Sequence, residues 1–305
     1  MSKRLLLSLY LPHLTHPIIA REEYLSRHDR IMDTRFWGPS GWKLLHLIAA
    51  DDSASASHAH ADFFETIPYI LPCKFCRASL TDYYRKHPYA TPDGNMDPAL
   101  DTEKWMYTIH NCVNEKLRSQ DLHPSPAPPF RTVKATYRSL LKCPWQQQLA
   151  YFWDFLFSVG YHHPRESRLY SSPMPDCPST ARCSEDSCER NKWNVLPMKD
   201  RVHWFRRFWS LLPAVLPGAV GTQWKRVLRA HPPTLSSRAS TISWLWAMRC
   251  ELDRDYRDPY TMVCKRISQY ASDCASQRGA FTCRRKRSSS RRGNKTIKNK
   301  ETVGR

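Results

Sequence analysis

FFETIPYILPC, beginning at Phe63, is answered late in the chain by FWSLLPAVLPG, beginning at Phe208, with both prolines of each stretch at the same spacing. Three further echoes keep the same order. WKLLHLIAA at Trp42 pairs with WDFLFSVGY at Trp153, WMYTIHNCVN at Trp105 with WLWAMRCELD at Trp244, and PPFRTV at Pro128 with DPYTMV at Asp258. Ordered self-similarity of this kind means one structural unit used twice. Whatever the chain folds into must place two copies of one module within 305 residues.

The repeated unit is helical. From Phe36 to Ala50 the residues Trp42, Leu45, His46 and Ala49 fall on one face of a helix. SASASHAHADFFETIPYIL is a polar loop running into a second helix that ends near Pro72, and CKFCRASLTDYYRKHP is a third that Pro88 closes. TPDGNMDP is turn material, Asp101 caps a fourth helix through Leu117, SPAPP is a rigid connector and FRTVKATYRSLL a short fifth helix. Val/Ile/Thr alternation between turn signals is scarce, and 11 Trp against 9 Gly favour a packed helical chain over a β fold. The expected fold is all-α: a bundle of four helices plus a short fifth, followed by a degenerate second helical module. The expected boundaries are an N-terminal extension over 1–32, the first module over 33–142, the second over 143–280 with a polar insertion near 162–200, and a basic tail over 281–305.

The copies differ where the residues are chemically unusual. Phe157 stands in the place of His46, Gly218 and Gly221 in the places of Cys73 and Cys76, Arg249 and Cys250 in those of His110 and Asn111, and Asp253 in that of Asn114. The second copy has kept its apolar anchors and lost its polar ones. It has kept packing and lost chemistry.

Cys73-Lys74-Phe75-Cys76 is the first chemical signal. Two cysteines at a helix start can close a small disulfide ring, and the helix dipole, free N–H groups and Lys74 favour thiolate at the first of them. Structural zinc is the alternative, but it takes four ligands and no second CxxC or HxxxH pair accompanies this one. A thioredoxin-like setting would need a preceding strand, whereas both flanks are helical. A redox pair in a helical bundle needs an electron acceptor, and tryptophan and histidine faces suit an isoalloxazine ring.

Charge adds a separate element. The net charge is +19, and from Arg284 to Arg305 ten Lys/Arg stand against one Glu. That tail has too few apolar residues to offset its chain entropy and suits weak polyanion or nucleic-acid contact, or nuclear targeting. No apolar run is long enough to cross a bilayer. The basic, briefly apolar start MSKRLLLSLYLPHL is broken by Pro12 and reads as an extension rather than a cleaved leader. Eleven cysteines, an odd count, do not form a small secreted disulfide framework.

Gly38-Pro39-Ser40-Gly41-Trp42-Lys43-Leu44-Leu45-His46, then Pro72-Cys73-Lys74-Phe75-Cys76, then His110-Asn111-Cys112-Val113-Asn114-Glu115-Lys116-Leu117 together resemble the three signatures of the Erv/ALR sulfhydryl oxidases: W-x-x-x-H, Y-P-C-x-x-C and H-N-x-V-N-x-x-L, in that order. The resemblance covers about 33–140, and its duplication is similar to the degenerate internal copy of quiescin-type oxidases and to the long, two-module forms of large DNA viruses. It implies FAD as cofactor and a thiol oxidase that passes electrons from protein dithiols to molecular oxygen, giving hydrogen peroxide. It implies Cys73 as the cysteine that exchanges with substrate and Cys76 as the one that attacks the flavin. Gly38, Trp42, His46, His110, Asn111, Asn114 and Lys116 would bind the cofactor, and no metal is implied. The second copy would serve as a built-in partner, a pseudo-dimer within the chain, with a further homodimer as the other arrangement. Cys183 and Cys188 are candidates for a shuttle pair, with Cys177 nearby. A viral source would place the protein in the virion or a cytoplasmic viral factory.

Several positions depart from the family pattern. Leu71 replaces Tyr, Pro39 stands where many members have Arg, Asp101 where many have half of a disulfide, and Cys112 is unusual inside its motif. The competing reading is a redox-inactive basic packaging or interaction protein on the same bundle.

Overall fold

A computed structural model describes residues 32–51, 58–89, 100–119, 126–166 and 198–270. The extension over 1–31, the TPDGNMDP turn, Cys177, Cys183, Cys188 and the basic tail lie outside the described residues. The described elements are helices: α1 Thr34–Ala50, α2 His58–Ile70, α3 Lys74–Lys86, α4 Thr102–Ser119 and α5 Phe130–Leu141, then α6 Trp145–Ala150, α7 Trp153–Tyr161, α8 Met198–Val215, α9 Gly218–Ala230, α10 Arg238–Leu252 and α11 Tyr260–Tyr270. A single 3-10 turn, Pro164–Glu166, follows α7.

Local chemistry sets the ends. Asp33 accepts the Arg35 N–H at 2.9 Å and starts α1, and Asp101 accepts the Lys104 N–H at 2.9 Å and starts α4. A carboxylate there takes a donor that no carbonyl of the helix can reach and faces the positive end of the dipole. Ser237 and Ser240 close a reciprocal capping box on α10. Among the described residues no helix is long and apolar enough to cross a membrane.

The two copies are built alike down to single hydrogen bonds. Trp105 Nε1 donates to His87 O at 2.9 Å, and its counterpart Trp244 donates to His231 O at 3.0 Å. Tyr107 donates through its hydroxyl to Pro128 O at 3.0 Å, and its counterpart Trp246 through Nε1 to Asp258 O at 3.0 Å. α1 lies on α4 as α7 lies on α10. One continuous apolar core runs through both copies.

Counterparts also meet each other. α1 packs on α7 and α2 on α8. The rings of Phe63 and Phe208 lie 5.5 Å apart, and beside them Arg207 Nη2 donates to Asp62 Oδ1 at 2.7 Å. On the other helix pair, Ser40 Oγ donates to Tyr151 O at 2.7 Å and accepts the Phe155 N–H at 3.0 Å. Phe152 has no capping side chain of its own, so Ser40 of the first copy caps α7 of the second.

The copies part at one joint. Three residues, Leu71, Pro72 and Cys73, connect α2 to α3, but only Leu216 and Pro217 connect α8 to α9. Counted from the helix starts, Cys73 therefore corresponds to Pro217 and Cys76 to Val220, one residue earlier than the glycines that the sequence echo assigns. The shorter joint draws α9 inward: a Cβ on Gly221 would lie 2.5 Å from Leu216 O. At the corresponding place Arg77 instead reaches back, its Nη1 donating to Leu71 O at 2.7 Å. Only glycine fits where the carbonyl itself has closed in.

Candidate functional site

Three helices carry the sequence-assigned residues, and Trp42, His46 and His110 meet one another. α1 supplies Trp42 and His46, one turn apart. α4 lies across it and supplies His110, Asn111, Asn114 and Lys116. α3 runs beside α4 with Cys76 on its first turn. Trp42 and His110 stack face to face with ring centroids 3.9 Å apart and planes 10° apart. His46 Nε2 lies 3.0 Å from His110 Nδ1, so one imidazole donates and the other accepts. Tyr137 of α5 stacks on His46, at 4.5 Å and 10°. The result is a wall of four flat rings.

The two histidines are neutral in this setting. Burial, reinforced by the neighbouring imidazole, holds His46 down to about 3, and burial lowers His110 to about 4. Both folded values lie below the unfolded imidazole value, so the unfolded chain binds more protons at mildly acid pH. Their stabilising contribution is complete above about pH 6.5 and is lost as pH falls toward the folded values, at about 1.4 kcal/mol per pH unit for each. Urea midpoints measured from pH 7.5 to 4.5 are expected to fall below pH 6.5. They are expected to fall less steeply in His110→Phe.

Between α3 and α4, Lys116 Nζ donates to Ser79 Oγ at 2.6 Å. Cys76, Ser79 and Tyr83 share the α3 face turned to α4, where burial first and the nearby Cys112 second raise the Tyr83 phenol to about 12. Burial also raises the Cys112 thiol. Cys73 is wholly buried at the N-cap of α3, whereas Cys76 is partly exposed. Asn111 and Asn114 are half-buried on α4. At Gly38 an added Cβ would meet nothing within 4 Å, so packing within the chain does not demand glycine there. Among the described residues no three His, Cys, Asp or Glu side chains gather as a metal site requires.

Two contributors escaped the sequence reading. Tyr137 was visible only in the contrast between copies, since its counterpart Ile267 is aliphatic just as the counterpart of His46 is Phe157. Arg77, 5% exposed, puts a guanidinium one turn beyond Cys73. Its only signal in the sequence is position, four residues after the first cysteine. The second copy keeps the shape and fills it from within: Arg249, counterpart of His110, lies 5.5 Å over the Trp153 ring and 3.8 Å over Tyr256.

A profile described as the Erv1 / Alr family matches residues 39–138. A probable FAD-linked sulfhydryl oxidase of Acanthamoeba polyphaga mimivirus is 30% identical over 87 residues, 27% of this chain and 59% of that protein, so the chain spans little more than half of that relative. The FAD-linked sulfhydryl oxidase of African swine fever virus is 30% identical over 90 residues, 28% of this chain and 70% of that protein. The mitochondrial FAD-linked sulfhydryl oxidase ERV1 of Saccharomyces cerevisiae is 30% identical over 90 residues, covering 28% of this chain and 45% of that protein. No solved structure matches the chain. With its motifs in family order on three packed helices and a relative 30% identical that it covers over 70% of its length, the chain belongs to the Erv1 / Alr family.

Proposed function

We propose that the protein is an FAD-dependent thiol oxidase that makes disulfide bonds in protein substrates. The observation that carries this reading is the ring wall of Trp42, His110, His46 and Tyr137, whose His110 stands on α4, the helix against which the Cys76 helix packs. The donor set fits a flavin dinucleotide in its chemistry: aromatic rings, two imidazoles neutral at physiological pH, and an ammonium at Lys116 for an anionic diphosphate. Gly38 leaves open backbone for a close approach. Trp42, His46, His110, Asn111, Asn114 and Lys116 would hold the cofactor.

When bound, FAD supplies a two-electron acceptor that oxygen can reoxidise, giving hydrogen peroxide. The residues do the rest. A substrate dithiol reduces the Cys73–Cys76 disulfide by exchange: its two thiols become one disulfide while two thiols form here. Cys73 takes the mixed disulfide, and because it is wholly covered, the turn at Pro72 must open for the exchange. Arg77, buried one turn beyond Cys73, braces the joint that carries the pair by donating to Leu71 O. Cys76, on the face turned to α4, passes the electrons on.

The second module (143–280) serves as an internal partner for the first (33–142). Support comes from counterparts in contact, Phe63 with Phe208 and Ser40 with Tyr151, as at the axis of an isologous dimer. Asp62 faces Arg207, so the axis carries opposite charges where two first modules would set carboxylate against carboxylate. The basic tail adds weak polyanion contact, and the relatives from large DNA viruses favour a virion or viral-factory setting.

The test is direct. Purified protein is expected to be yellow, with flavin absorbance near one per chain, and to consume oxygen when given dithiothreitol. A colourless protein that takes up no added FAD would sink the proposal.

A further inference from the structure

In the first module the last helix is fastened differently from its counterpart. α5 has no fully buried side chain, whereas α11 buries Val263 and Ile267 in the core. Beyond its first turn α5 is held by the partly buried Tyr137, Leu140 and Leu141, packed against the core, and by an ionic clasp. Glu103, at the start of α4 and only 8% exposed at its side chain, receives Arg138 Nε at 3.2 Å and Nη2 at 3.0 Å, and Lys134 Nζ at 2.8 Å. Lys134 and Arg138 flank Tyr137, the residue stacked on His46. In the second module every member of this set is gone: Ile242 stands for Glu103, Cys264 for Lys134, Ile267 for Tyr137 and Ser268 for Arg138. The joint at the helix start, Tyr107 to Pro128 and Trp246 to Asp258, is common to both copies. The clasp at Glu103 thus goes with the ligand-type residues, whereas the second copy fastens α11 with buried Val263 and Ile267 and with an ion pair from Arg266 to Asp154 of α7.

We propose that Glu103 is a positioning residue for the cofactor site. Through Lys134 and Arg138 it holds α5 so that Tyr137 stays on His46, and this clasp governs how long the cofactor is retained. The proposal rests on the flavin reading above. A charged clasp on a half-exposed helix suits this role, because it releases and re-forms without opening the core. Three charge-assisted contacts on one carboxylate out of water are strong enough to matter, and salt weakens the outer part of such a network.

The experiment uses the full-length holoprotein. Flavin release is followed by the rise in free-flavin fluorescence, at low and at 1 M salt, with the melting temperature of the flavin-free protein read in parallel. Wild type is expected to release flavin faster at high salt. Glu103→Gln is expected to release it roughly tenfold faster, the size expected for charge-assisted bonds to a covered carboxylate, and to keep only the smaller salt dependence that the contact of Lys116 with the diphosphate brings. The flavin-free melting temperature should move little, since α5 contributes nothing fully buried. Glu103→Arg should behave like Glu103→Gln, and Glu103→Arg with Arg138→Glu should restore slow release. Flavin retained at the wild-type rate in Glu103→Gln, or a flavin-free melting temperature that falls in step with retention, would overturn the clasp while leaving the oxidase reading intact. Wild-type protein that binds no FAD would overturn both.

Discussion

Cys76→Ser protein is expected to stay yellow and to lose at least about a thousandfold of its oxygen uptake with dithiothreitol, the scale on which removal of an essential nucleophile acts. The reason lies in geometry. Cys76 sits on the first turn of α3, on the face turned to α4, the helix that carries His110 and Lys116. Serine keeps the size and helical fit of that position, so the ring wall and the flavin stay. The hydroxyl of serine is not ionised near neutral pH and cannot enter thiol–disulfide exchange, so the pair can neither cycle nor pass electrons. An oxygen electrode and a visible spectrum on the same sample decide it. Turnover at the wild-type rate would show that another cysteine, Cys112 foremost among the described residues, does the work.

Phe208→Ala tests the second module as a partner rather than an appendage. Phe208 is wholly buried, against Phe63 of the first module at 5.5 Å, Trp209 at 4.9 Å and Phe155 at 6.4 Å. Removing such a ring leaves a cavity among large rigid neighbours and is expected to cost about 3–5 kcal/mol. Because one core runs through both modules, the loss should reach the flavin site far from the substitution. Urea unfolding followed by far-UV circular dichroism and by flavin fluorescence should show both transitions moving together. A flavin transition that stays in place while the helical signal splits would mean that the modules unfold independently, and the internal-partner proposal would fail.

The helices were readable because each apolar face repeats at helical spacing and prolines mark the ends. α2 ends at Ile70 just before Pro72, and α3 begins at Lys74 just inside the cysteine pair. The cap at Asp101 was readable too, since a carboxylate before an amphipathic stretch has one obvious use. The register of the second copy was not. Sequence echo equated Gly218 and Gly221 with the cysteines, but a joint shorter by one residue moves the helix start, and only the closing of Leu216 O on Gly221 reveals it.

Trp42, His46 and His110 were each legible as unusual residues, but not their mutual stacking. Ring contact depends on the crossing of α1 and α4, which no local pattern encodes. Glu103, Lys134 and Arg138 look like ordinary surface charges in the sequence; they become a clasp only because α5 folds back over the start of α4. By itself, the sequence determined that the chain is helical, that its module occurs twice and that only one copy carries the Cys73-x-x-Cys76 pair, because periodicity, echo and motif are properties of neighbouring residues along the chain. Only the tertiary structure decided which rings face one another, which cysteine is covered and which charges fasten the last helix, because those follow from how separate helices cross and what each thereby withdraws from water.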